Sequence, residues 1–221
     1  MTTGFGAFGK LPSMGDFLRH NLPSGFVQTW DTWLQAGMLS LRETMAERWA
    51  DAYMSAPIWR FTLPAGLAGA QAVSGIMMAS VDRVGRQYPL TLAAPHDGTH
   101  PALTHFANRT VFERLEDIAL AALDDETGRD AVAGALEQLA FLDAPQAQFR
   151  QTPYRGPHPA AQIIAAQTIT QQNGESALWS AMMEGDHRLI TTKSLPSAQE
   201  LRALFDLNAP YWGTAELTHS L

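Results

Sequence analysis

The chain has 221 residues, of which 46% are hydrophobic and 17% charged, with a net charge of −7 and no cysteine. A chain of this size buries roughly 70% of the surface its unfolded form exposes, so it needs no covalent or metal staple, and without cysteine it has neither disulfides nor thiolate metal sites. The acidic balance, with no lysine or arginine run, argues against nucleic acid as the main partner, and no stretch approaches the roughly 18 uninterrupted apolar residues of a membrane span.

Met1 to Lys10 lacks the basic start and apolar run of a secretory signal. Gly4 to Gly9 predicts a short strand with Phe5, Ala7 and Gly9 on one side and Phe8 on the other. Its glycines permit either a close backbone approach or a bulge. From Leu22 to Tyr53 the residues Phe26, Trp30, Trp33 or Leu34, Met38, Leu41, Met45, Trp49 and Tyr53 recur at the spacing of one helical face. Pro23 and Ser24 suit a helix start. Gly37 is expected to break or bend the run, and Ser40 with Glu43 suits a capping box for a second helix. Pro57 closes the region. Ile58 to Leu63 alternates as a strand, with Trp59, Phe61 and Leu63 on one face. Trp30, Trp33, Trp49 and Trp59 read as core rather than as a ligand cage.

Pro64 to Gly69 is a turn-rich connection. Ala72 to Val81 and Tyr88 to Ala94 are small or apolar runs suited to strands, and Pro95 to Pro101 is a loop. Leu103 to Leu123 predicts one helix, with Phe106, Thr110, Leu115, Ile118 and Leu123 among its buried candidates; Arg129 to Phe141 predicts another. Ala144 to Pro159 carries four prolines and reads as a surface excursion. Ala160 to Gln172 fits helix or strand, and Asn173-Gly174 is a turn signal. Ala177 to Met182 and His187 to Thr192 predict strands joined at Glu184-Gly185-Asp186. Ser197 to Leu207 predicts a closing helix, with Ser197 and Glu200 as its capping box. Without a repeat or a flexible linker, residues 1–221 read as a single domain in which one mixed sheet is covered by helices.

The opening GFGAFGKLPSMGDF contains two nucleotide fingerprints, and both fail in context. A dinucleotide fold needs a strand before G-x-G-x-x-G and a helix opening at its end. Here only Met1, Thr2 and Thr3 precede Gly4, and Pro12 disfavours the helix. A phosphate-binding G-x-x-x-x-G-K loop needs Ser or Thr after its lysine, and Leu11 stands there. His96, Asp97, His100 and His105 match no zinc spacing and read as solvated loop histidines. Asp124-Asp125-Glu126 lacks the alternating ligands of a calcium loop and reads as a solvated helix end. There is no G-x-S-x-G elbow and no cysteine nucleophile. No catalytic, cofactor-binding or metal-binding residue is assigned.

The second dense stretch runs from Ser80 to Leu90 and places Asp82, Arg83 and Arg86 between two apolar strands. Arginine's planar fork suits carboxylate or phosphate, which makes this an anion site or a docking loop. The blander reading, favoured because ion pairs of this kind are often structural, is that Asp82 pairs with Arg83 or Arg86 to fasten the connection.

Gly4 to Phe17 resembles the opening of the type VI secretion-associated TagF family, also called ImpM. Leu22-Pro23 with Trp30-Asp31-Thr32-Trp33-Leu34, then Ala56-Pro57-Ile58-Trp59-Arg60-Phe61, are similar to the segments that follow in that family. Ser80-Val81-Asp82-Arg83-Val84-Gly85-Arg86 with Tyr88-Pro89-Leu90 resembles its hallmark. Ser176-Ala177-Leu178-Trp179 resembles a late motif, with Ser180 where a second Trp is usual; Met14 likewise replaces a frequent Arg. The resemblance is dense from Gly4 to Ala94 and thin from Pro95 to about Glu175.

The resemblance implies an α/β fold, a three-layer α-β-α sandwich with a mixed, largely antiparallel sheet. It implies a cytoplasmic accessory that holds secretion off after translation by contacting the forkhead-associated scaffold protein of the system, with no enzymatic activity and no cofactor. Under this reading Lys10, Pro12, Gly15, Asp16, Asp82, Arg83, Gly85 and Arg86 form the partner-binding surface, because turn-forming charged stretches carry function more than packing. The alternative is a small-molecule anion sensor or small enzyme built on Asp82, Arg83 and Arg86 with Lys10 and Asp16. A pocket burying both arginines would mark the alternative; an exposed ridge would mark docking.

Overall fold

In the computed structural model, which describes residues 4–97, 100–141, 168–171, 175–183 and 186–214, strands from both ends of the chain pair into one sheet. They are β1 (Gly6–Gly9), β2 (Leu18–His20), β3 (Trp59–Leu63), β4 (Ala72–Met78), β5 (Leu90–His96), β6 (Ala177–Met183) and β7 (Asp186–Thr192). Their order is β2-β1-β5-β4-β3-β6-β7, and every described pair is antiparallel. The α/β class holds, and among the described residues the sheet is antiparallel throughout. The excursion 144–159, most of 160–172 and the turn at 173–174 lie outside the described residues.

Side chains alternate along each strand, and here both faces are buried. Trp59, Phe61 and Leu63 of β3, with Val73, Met77 and Trp179, form one cluster. It is closed by α1 (Ser24–Met45), α2 (Arg48–Met54) and α6 (Ala198–Phe205), through residues such as Trp30, Trp49 and Leu204. Ile76, Met78, Leu90 and Leu92 form a second cluster. It is closed by α4 (Arg109–Ala121) and α5 (Arg129–Leu136), through Phe112, Leu115 and Leu136. Leu178 packs instead on Ala102 and Leu103 of α3 (Pro101–Ala107). Helices thus lie on both faces of the sheet.

The glycine-rich opening is a close approach. Gly9 has φ +138°, and a Cβ there would collide with the Pro89 carbonyl, just before the neighbouring strand β5. Phe5 and Ala7 face the second cluster and Phe8 the first, as alternation requires. The capping box of α6 forms: Ser197 N–H donates to Glu200 Oε2 at 2.7 Å, and Glu200 N–H reaches Ser197 Oγ.

Three expectations are corrected. Helix α1 runs unbroken through Gly37 and Ser40. Gly37 instead admits Leu201 of α6 at the place a Cβ would occupy. The break falls at Ala46, which takes φ 48° and ψ −121°. Secondly, the single helix from Leu103 to Leu123 is two helices parted at Asn108, whose Nδ2 donates to the Thr104 carbonyl. The break resets the phase, so Val111, Phe112, Leu115 and Ala119 are buried, while Thr110 and Leu123 are exposed. Thirdly, two of the four residues read as solvated loop histidines are not: His105 is buried within α3, and His96 is half-buried at the end of β5, paired with Ala72.

Candidate partner-docking loop

The two dense stretches of sequence meet. Residues 80–88 form a hairpin-like loop between β4 and β5, pinned at its base by a Val81–Gln87 bridge and by Tyr88 N–H donating to the Ser80 carbonyl. Beneath it, the Tyr53 hydroxyl donates to that carbonyl at 2.7 Å and accepts from Ser80 N–H at 3.0 Å. Ser80 Oγ donates to the Lys10 carbonyl at 2.8 Å, which joins the loop to the end of β1.

Asp82 is the centre of the arrangement. Its carboxylate is buried. Lys10 Nζ lies 2.9 Å from Oδ2 and Arg86 Nε 2.6 Å. The backbone N–H groups of Val84 and Arg86 donate to Oδ1 at 3.1 and 2.9 Å. Burial alone would raise the carboxyl pKa. Hydrogen bonds from Lys10, from the backbone and side chain of Arg86, and from the Val84 backbone outweigh it, and the group sits well below the usual carboxylate range. Gly85, at φ +81°, closes the turn by donating its N–H to the Asp82 carbonyl at 2.8 Å.

The turn at Leu11–Met14, which contains Pro12, stacks against this loop. Arg83 N–H donates to the Met14 carbonyl at 2.9 Å, and Arg86 Nη2 donates to the Gly15 carbonyl at 2.9 Å. A side chain at Gly15 would meet the Arg83 guanidinium. Asp16 is exposed, and among the described residues it accepts only from the N–H of Phe17. Seven of the eight expected residues therefore form one unit, and Asp16 stands at its edge.

The two arginines differ. Arg86 is 64% exposed along its side chain yet tied to Asp82 and Gly15. Arg83 is exposed and its guanidinium has no carboxylate partner among the described residues. Between them Val84 is 71% exposed. Both arginines stand on the surface beside an apolar tip, the ridge arrangement. Ser80 and Tyr53 were not among the expected site residues. Ser80 lies within the hallmark stretch, whereas nothing in the helical pattern around Tyr53 marks its hydroxyl.

A family model described as the TagF N-terminal domain, type VI secretion system-associated, matches residues 6–139, which include both halves of this unit. Among solved structures the chain is similar to PA0076 from Pseudomonas aeruginosa PAO1. The two share 30% identity and a TM-score of 0.77 over 98% of each chain. No curated protein matches.

Proposed function

Because the chain belongs to the TagF family of type VI secretion system-associated proteins, we propose that it is a non-enzymatic cytoplasmic regulator that holds secretion off by docking onto the forkhead-associated scaffold protein of that system. The partner and the direction of control follow from the family resemblance. What supports the docking loop is local: a buried ionic node holds Arg83 and Val84 out in solvent, with the guanidinium free of carboxylates among the described residues. Holding a strongly hydrated group and an apolar one side by side at the surface is what a docking contact uses, since arginine anchors dominate interface energetics. Neither side chain is buried in the core.

The test separates docking from architecture. Arg83→Ala is expected to melt like the parent and to lose about 2 kcal/mol of scaffold affinity, roughly thirty-fold. Secretion in overexpressing cells should rise accordingly. A folded Arg83→Ala that still binds the scaffold and still silences secretion removes the docking role.

A further inference from the structure

On the face of the sheet that α3 covers, five polar side chains from four strands and one helix form a continuous row. His96 Nε2 lies 2.8 Å from Ser74 Oγ, and Ser74 Oγ donates to Thr62 Oγ1 at 3.0 Å. Thr62 Oγ1 is 3.0 Å from His105 Nδ1, and His105 Nε2 is 2.7 Å from Ser180 Oγ. Ser74, Thr62 and His105 are all buried.

Ser74 donates to Thr62. Burial, aided by the Arg60 charge, pushes the His105 pKa down to about 3, so the ring is neutral, with one nitrogen that donates and one that accepts. In the tautomer with its proton on Nε2, Thr62 donates to Nδ1 and Nε2 donates to Ser180. The Ser180 hydroxyl then keeps its own proton for a further acceptor, and it has no other hydrogen-bond partner among the described residues.

Beyond Ser180 lies a cavity of about 380 Å3 between α3 and the β6–β7 hairpin, at the small end of the range of ligand sites. Cross-strand pairing puts Arg60, Ser180 and Leu189 side by side on its floor. Arg109 and His187 also line it, with Phe106, Met182 and Leu189 as the apolar wall. No carboxylate lines it among the described residues. Arg60 is held by both oxygens of Glu116 at 2.6 and 2.8 Å. Arg109 Nε donates to Glu113 at 2.7 Å, and among the described residues its terminal nitrogens have no partner. Met182 and Leu189 are each 45% exposed.

We propose that this cleft binds a small amphipathic anion, an aryl or short alkyl carboxylate or phosphomonoester. Its head accepts from the Ser180 hydroxyl and the Arg109 fork, and its body rests on Phe106, Met182 and Leu189. The cleft shares no residue with the docking loop, so the two readings stand or fall separately.

Calorimetric titration of the purified protein with phenyl phosphate tests it, with inorganic phosphate and benzyl alcohol as the controls that lack the body and the charge. Saturable binding of phenyl phosphate, tighter than either control, is expected. Ser180→Ala and Arg109→Gln should each weaken it about tenfold, while Arg83→Ala leaves it unchanged. Arg109 is exposed, so its variant folds even where loss of Ser180 disturbs the row. Absence of saturable binding, equal affinity for inorganic phosphate, or an Arg109→Gln variant that binds as the parent does would each overturn the proposal.

Discussion

At Asp82 two effects oppose each other, and their balance decides what the residue does. Burial disfavours its charge, while an ammonium, a guanidinium and two backbone N–H groups favour it more strongly. Removing one member of such a group leaves the others uncompensated. Asp82→Ala is therefore expected to lower the melting temperature markedly, Arg86→Ala to lower it less, and Arg83→Ala not at all, as read in thermal melts. Ala46 offers the opposite sign. A non-glycine residue at φ 48° and ψ −121° lies outside the comfortable regions, so Ala46→Gly should stabilise by about 1 kcal/mol in urea titrations. The sequence marks both charged stretches, yet it cannot separate Arg83 from Arg86. The distinction depends on the Lys10 side, and Lys10 and Arg86 stand 76 positions apart.

The longest helix shows why a glycine can mislead. In isolation Gly37 weakens a helix, and replacing it with a strong helix former should help by about 0.5–1 kcal/mol. Here the position is filled by Leu201 from α6. Gly37→Leu should instead cost about 1–3 kcal/mol through overpacking; a stabilised variant in urea titrations would show that the two helices are free to part. The apolar spacing of α1 was legible because six buried residues follow one stripe. The division of the next helical run at Asn108 was not legible, since asparagine is only mildly unfavourable in a helix and its role there comes from a side-chain bond to Thr104. Strands β3 to β5 were legible to within a few residues, because their apolar runs are bounded by turn chemistry. The cleft at Ser180 was not legible in the sequence: His105 and Ser180 are 75 positions apart, and the late motif marks Ser180 only as the place of a missing Trp.

For the molecule as a whole, stability should fall on the acid side in two stages. His105 titrates near pH 6.5 when unfolded but only near 3 when folded. Between those values the unfolded state binds the extra proton, so stability declines as pH drops. Asp82 has a folded pKa below its unfolded one; its contribution is complete above about pH 4 and is lost as pH falls toward the folded value. Melting temperature against pH should show both, and His105→Gln should flatten the stage between about pH 6.5 and 4 while leaving the lower one. Sheet order carries one more consequence. Strand β1 pairs Gly6, Ala7 and Phe8 with Ala93, Leu92 and Thr91 of β5. During synthesis, β1 leaves the ribosome before β5 and until then has the three-residue β2 beside it, and a two-stranded hairpin is marginal on its own. The buried ionic node cannot assemble until residue 86 has cleared the exit tunnel. Stalled nascent chains that expose residues through His96 should protect the opening segment from protease, and chains that stop short of Asp82 should leave it open to cleavage.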